Sequence, residues 1–157
     1  MRTSVVTILS SALLLTGCAS VPTPAGTPPT VKRAAPPSDE THHFPAANLV
    51  KAQVIGDHLL GHNFLPGGNI ARYKMGKREF DLILIKTKSP IAAAVLLLDF
   101  KNYLEGPKVI AHFGGYFGKD GGRPAFVFAK NEWFCGVIGL PEGDADARAR
   151  EFASRLN

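Results

Sequence analysis

His58 and His62 stand four residues apart in Asp57-His58-Leu59-Leu60-Gly61-His62, a spacing that could serve metal chemistry. On a helix, residues i and i+4 share a face, so both imidazoles could hold one ion. The zinc-protease pattern His-Glu-x-x-His needs a glutamate directly after the first histidine. Leu59 occupies that place, so the general base is missing. A third ligand would have to come from His112 or an acid. The sequence therefore assigns no catalytic residue, metal or cofactor, and leaves His58, His62 and His112 as the metal candidates. His42 and His43 fall in a proline-rich stretch and are expected to be solvated.

A second candidate is the glycine-rich run Gly114-Gly115-Tyr116-Phe117-Gly118-Lys119-Asp120-Gly121-Gly122. A phosphate loop requires four residues between the first Gly and the Gly-Lys-Ser/Thr. Here three intervene, and Asp120 stands where the hydroxyl should be. The run reads as a mobile loop whose Tyr116, Phe117 and Lys119 could cover a ligand. No Gly-x-Ser-x-Gly occurs, and Ser89 reads as a helix cap, which lowers the odds of a hydrolase. Arg72, Lys74, Lys77, Arg78, Lys86 and Lys88 gather positive charge around a predicted hairpin. Such a patch could meet an anionic surface or an acidic partner. A solvated sheet edge guarded by lysines is the plainer reading.

The elements that would position these groups follow from periodicity and turn residues. Leu49, Val50, Val54, Leu59 and Leu60 recur at near-helical spacing after Pro45, which predicts a first helix. Ile70–Met75 and Glu79–Thr87 predict a hairpin around Gly76-Lys77-Arg78. Ser89-Pro90 opens a helix that runs from Ile91 to Leu104 and stops at Gly106-Pro107. A short strand over Val109–Phe113, the glycine-rich loop, and a second hairpin over Ala125–Ala129 and Trp133–Leu140 come next. A helix from about Asp144 closes the chain, with Ala149, Phe152, Ala153 and Leu156 on one face. The expected order is α-β-β-α-β-β-β-α. The fold class is α+β, with helices packed on one mainly antiparallel sheet.

The first forty-five residues differ in kind. Arg2 precedes Val5–Leu15, an apolar stretch of eleven residues. A spanning helix needs about 20, so the stretch suits an export signal. Residues 19–45 hold seven of the chain's 12 prolines, which predicts an extended tether. That leaves 46–157 as a single globular domain, large enough for one core. The chain's net charge is +5. With two cysteines in all, Cys135 reads as a buried, inert thiol in a strand.

Leu15-Thr16-Gly17-Cys18 resembles the lipobox of bacterial lipoprotein precursors at all four positions. The resemblance implies that residues 1–17 are a signal peptide cleaved between Gly17 and Cys18. It also implies that Cys18 carries diacylglycerol and an acylated amino terminus, the two signals that stable anchoring takes. The partner would then be a membrane, with an envelope protein or anionic envelope component beyond it. Ala19, where an Asp would favour inner-membrane retention, points to the periplasmic face of the outer membrane. Nucleic-acid binding fits neither that compartment nor any motif present. The folded part is similar to a group of bacterial exported domains with no assigned activity, through Gly61-His62-Asn63-Phe64, Glu79–Thr87, Pro90-Ile91-Ala92-Ala93-Ala94 and the strand pair within 125–140. Together these readings lean away from an enzyme and towards an anchored interaction domain. A metal-binding or enzymatic domain using His58, His62 and His112 is the alternative.

Overall fold

A computed structural model describes residues 36–156. Seven antiparallel strands form one sheet in the order β1-β2-β3-β7-β6-β5-β4. They are β1 (Leu49–Asp57), β2 (Pro66–Met75), β3 (Arg78–Lys86), β4 (Glu105–Ile110), β5 (Gly115–Asp120), β6 (Arg123–Lys130) and β7 (Trp133–Ile138). Helix α1 (Pro90–Tyr103) links β3 to β4 at the far edge, and α2 (Glu142–Ala153) follows β7.

The sheet carries a core on each face because β3, β6 and β7 alternate apolar residues with a period of two. Phe80, Leu82 and Leu84 of β3, with Phe126, Phe128, Cys135 and Val137, meet α2 through Ala145, Ala149 and Phe152. Ile83, Ile85, Val127, Phe134 and Ile138 point the other way, against Leu96, Leu97 and Phe100 of α1. Strands buried on both faces read as continuous apolar runs. At Gly136 a Cβ would come within 2.8 Å of the Ile83 side chain, so this central position has room only for glycine.

The expected class is found: one antiparallel sheet with two helices, α+β. The expected order is not, for the chain runs β-β-β-α-β-β-β-β-α. Residues 49–57 form an edge strand rather than a helix. Val50, Val54 and Ile55 are β-branched and Gly56 follows them, a composition that favours a strand over a helix. The glycine-rich run is strand β5, paired on both sides, rather than a mobile loop. Gly115 is required for space, since a Cβ would lie 2.4 Å from the Val127 carbonyl oxygen, and Gly118 is tightly packed, its Cβ position 3.0 Å from the Glu105 carbonyl oxygen. The preceding strand lies over Glu105–Ile110, ahead of the predicted Val109–Phe113.

Packing also begins before Ala46. Glu40 and Phe44 are buried, and Phe44 stacks on Phe152 with ring centroids 5.5 Å apart. The last helix starts at Glu142, ahead of the expected Asp144, which lies inside the first turn and pairs with Arg78. Ser89 does cap α1, its hydroxyl accepting the Ala92 N–H at 3.2 Å.

Candidate functional site

The histidines are not on one helix. His58 has φ 50°, Leu60 has φ 58°, and a short 3-10 turn over Leu59–Gly61 separates the two imidazoles. His58 is exposed beside Asp57. His62 is mostly buried, its Nε2 2.9 Å from Asp120, among the rings of Phe64, Phe100 and Tyr103. His112 pairs with Asp146 of α2 at 2.6 Å. Phe100 belongs to the α1-side core, and Asp146 lies on the helix of the other face. His62 and His112 therefore stand on opposite sides of the sheet, and the three histidines form no common ligand set among the described residues.

The cations of the first hairpin are largely spoken for. Asp81 is 2% exposed and accepts from Arg72 Nε at 3.0 Å and Arg123 Nη2 at 3.0 Å. Lys74 faces Glu79, Arg78 pairs with Asp144, and Lys86 reaches Glu40 at 3.1 Å. Among the described residues Lys77 and Lys88 lack such a partner. Arg72 and Lys74 sit four strands from Tyr116, Phe117 and Lys119, roughly 19 Å at the usual strand spacing. Tyr116 packs with the α1-side core, under the ammonium of Lys101, while Phe117 packs with the other core. The residues singled out in sequence thus make separate surfaces instead of one.

The outer face of α1 is different. A helix that is apolar all round is ordinarily buried all round. Here Ala93, Leu96, Leu97 and Phe100 are buried, while Ile91 is 77%, Val95 52% and Leu98 50% exposed. Positions 91, 95 and 98 form one stripe at i, i+4, i+7, with exposed Ala94 beside them. The stripe borders a groove of about 690 Å³ whose apolar wall is Pro37, Ile85, Ala92, Val95 and Leu96. That volume lies in the range of ligand-accepting clefts. Asp57, Lys86, Lys88 and Asp99 also line it, two charges of each sign. The far wall depends on Gly67, where a Cβ would sit 2.2 Å from the Gly56 carbonyl oxygen.

The sequence reading placed a helix over Ile91–Leu104 without singling out this stripe. Its signal was available: no polar residue interrupts 90–98, too long an apolar run for a helix with one wet face. Of His42 and His43, both expected to be solvated, His42 is exposed, whereas the His43 ring lies edge-on to Trp133 at 5.1 Å. Cys135 lies where expected, fully buried in β7, and burial pushes its thiol pKa well up.

The lipobox, Gly17 and Cys18, and the expected tether as far as residue 35 lie outside the described residues. Among the described residues no helix is long and apolar enough to cross a membrane. No family model, curated protein or solved structure matches the chain.

Proposed function

We propose that this chain is a bacterial envelope lipoprotein, held by an acylated Cys18 at the periplasmic face of the outer membrane. Its domain acts as a protein-binding module. The observation that carries the binding reading is the exposed apolar stripe of α1, Ile91, Val95 and Leu98, beside its groove. Uncovered apolar area of this kind marks interaction surfaces. The occupant is a segment of an envelope protein that presents an apolar ridge flanked by charges of both signs. Asp57 and Asp99 balance Lys86 and Lys88 in the groove, so the site offers no net charge to an anionic bilayer.

The anchor is tested by the intact mass of membrane-fraction protein, with Cys18→Ser as control. A chain beginning at acylated Cys18, absent in the variant, is expected; an unmodified chain contradicts the anchor. The surface is tested by formaldehyde cross-linking in intact cells. Val95→Asn with Leu98→Asn should abolish a discrete protein adduct that Lys74→Glu with Lys77→Glu preserves. The reverse pattern would move the binding site to the basic hairpin.

A further inference from the structure

The stretch expected to be a solvated tether contains the single group of candidate metal ligands among the described residues, Glu40, His42 and His43. Each offers a donor atom within 4.8 Å of the others. Glu40 is only 7% exposed, and its position is fixed from several sides. Its main-chain N–H donates to Asn69 Oδ1 at 3.0 Å. Its Oε1 accepts from the Ser38 hydroxyl at 2.9 Å and from Lys86 Nζ at 3.1 Å. Oε2 is left facing His43 Nε2 at 3.6 Å. Two donors on a tetrahedral zinc ion stand about 3.3 Å apart, given metal–ligand distances of about 2.0–2.2 Å. The pair needs little movement to meet one ion.

The tautomer of His43 is also set. Its Nδ1 lies 3.1 Å from the Arg155 carbonyl oxygen. A carbonyl can only accept, so Nδ1 carries a proton, and in the neutral ring Nε2 presents its lone pair towards Glu40. A backbone carbonyl holding the second ring nitrogen is the usual outer-shell support of a metal-bound histidine. The His42 ring lies tilted against that of His43, centroids 4.1 Å apart, and is itself exposed, free to turn a nitrogen inward. Lys86 is the competing cation. It has another resting place, for its Nζ already lies 5.0 Å from the centroid of the Trp133 ring.

We infer that Glu40, His42 and His43 form a site for a borderline divalent cation of the zinc, cobalt, nickel or copper kind. Two imidazoles and one carboxylate are the wrong donors for calcium or magnesium, which take oxygen. Three protein ligands leave coordination positions for water or for a donor from a partner. The site uses neither the Cys18 anchor nor the α1 stripe, although Lys86 also lines the groove beside that stripe.

The test is titration of the full-length Cys18→Ser chain with cobalt(II), followed by its visible absorption, and then displacement by zinc. One equivalent should bind. Replacing an outer-shell partner commonly costs 10- to 100-fold in affinity, so losing a direct ligand should cost at least about tenfold. His42→Ala and Glu40→Gln should each show that loss. Among the described residues the His42 side chain makes no hydrogen bond, so this variant should fold normally. Lys86→Ala should bind more tightly, a gain that no merely structural role of this residue produces. His58→Ala, His62→Ala and His112→Ala should bind as the parent does. Absence of saturable binding, or binding unchanged in His42→Ala, would overturn the site.

Discussion

The two helices cover opposite faces of one sheet, and they are built on different rules. Helix α2 sorts its residues: Ala145, Ala149 and Phe152 are buried, while Arg150 bonds Asp146 at 2.9 Å and Arg148 bonds Glu151 at 2.7 Å outside. Water and those pairs complete its outer surface. Helix α1 buries Ala93, Leu96, Leu97 and Phe100 as firmly, yet leaves Ile91, Val95 and Leu98 uncovered. The domain's stability needs the inner rows of both helices. It does not need the outer row of α1, and that surplus of apolar surface is what the proposed binding role rests on.

The largest effects should be equal on the two sides. Phe100→Ala and Phe152→Ala each remove a fully buried ring and should cost about 3–5 kcal/mol in urea unfolding. A marked inequality would mean that one face carries the fold alone. Next comes the buried carboxylate of the central sheet. Arg72 and Arg123 are more than half exposed, and either still compensates Asp81 when the other is gone. Each single alanine variant should therefore cost about 1 kcal/mol. The double variant should approach 3 kcal/mol or more, because it strands the charge. Additive losses in a double-mutant cycle would remove that coupling.

A smaller effect comes at the start of α1. Ser89→Ala should cost about 1 kcal/mol by loss of the Ala92 bond. The pH response should track α2. The Arg150 guanidinium, then His112, holds the Asp146 carboxyl below its ordinary value of 3.8. A carboxyl depressed in the folded state adds stability that is complete above its unfolded pKa and is lost as pH falls through the folded one. Asp146→Asn should flatten the acid-side fall in stability below about pH 4, read from urea midpoints across pH. An unchanged slope would contradict the pairing. The smallest change is expected for the outer row of α1, where Ile91→Ser should stay within about 0.5 kcal/mol of the parent.

These contrasts explain what the sequence could reveal. β3, α1 and the β6–β7 hairpin were legible because period-two and helical patterns coincide there with punctuation: Ser89-Pro90 before α1, and Asn131-Glu132 between the strands. β1 was misread because an edge strand has no buried face to impose alternation, and all but two of its residues are exposed. Its apolar residues then fit a helix by chance of spacing. β5 was misread because glycine has two uses. Gly114, Gly121 and Gly122 do take positive φ, as a loop would, but Gly115 and Gly118 serve close strand packing. The histidine pair at 58 and 62 drew attention by a spacing that only a helix would make useful. Glu40, His42 and His43 converge through a single 3-10 turn, docked on Asn69, Arg155 and Trp133, which lie far away in the chain. No local pattern announces such docking.

The most direct test of the difference between the helices is site-specific photo-cross-linking of the full-length chain in its own envelope. One photoreactive residue replaces Leu98 on α1, and the same residue replaces exposed Ala147 on α2. The account predicts a discrete adduct with another protein from position 98 and none from 147. Equal yields from the two positions, or lipid or self-adducts alone from 98, would contradict it.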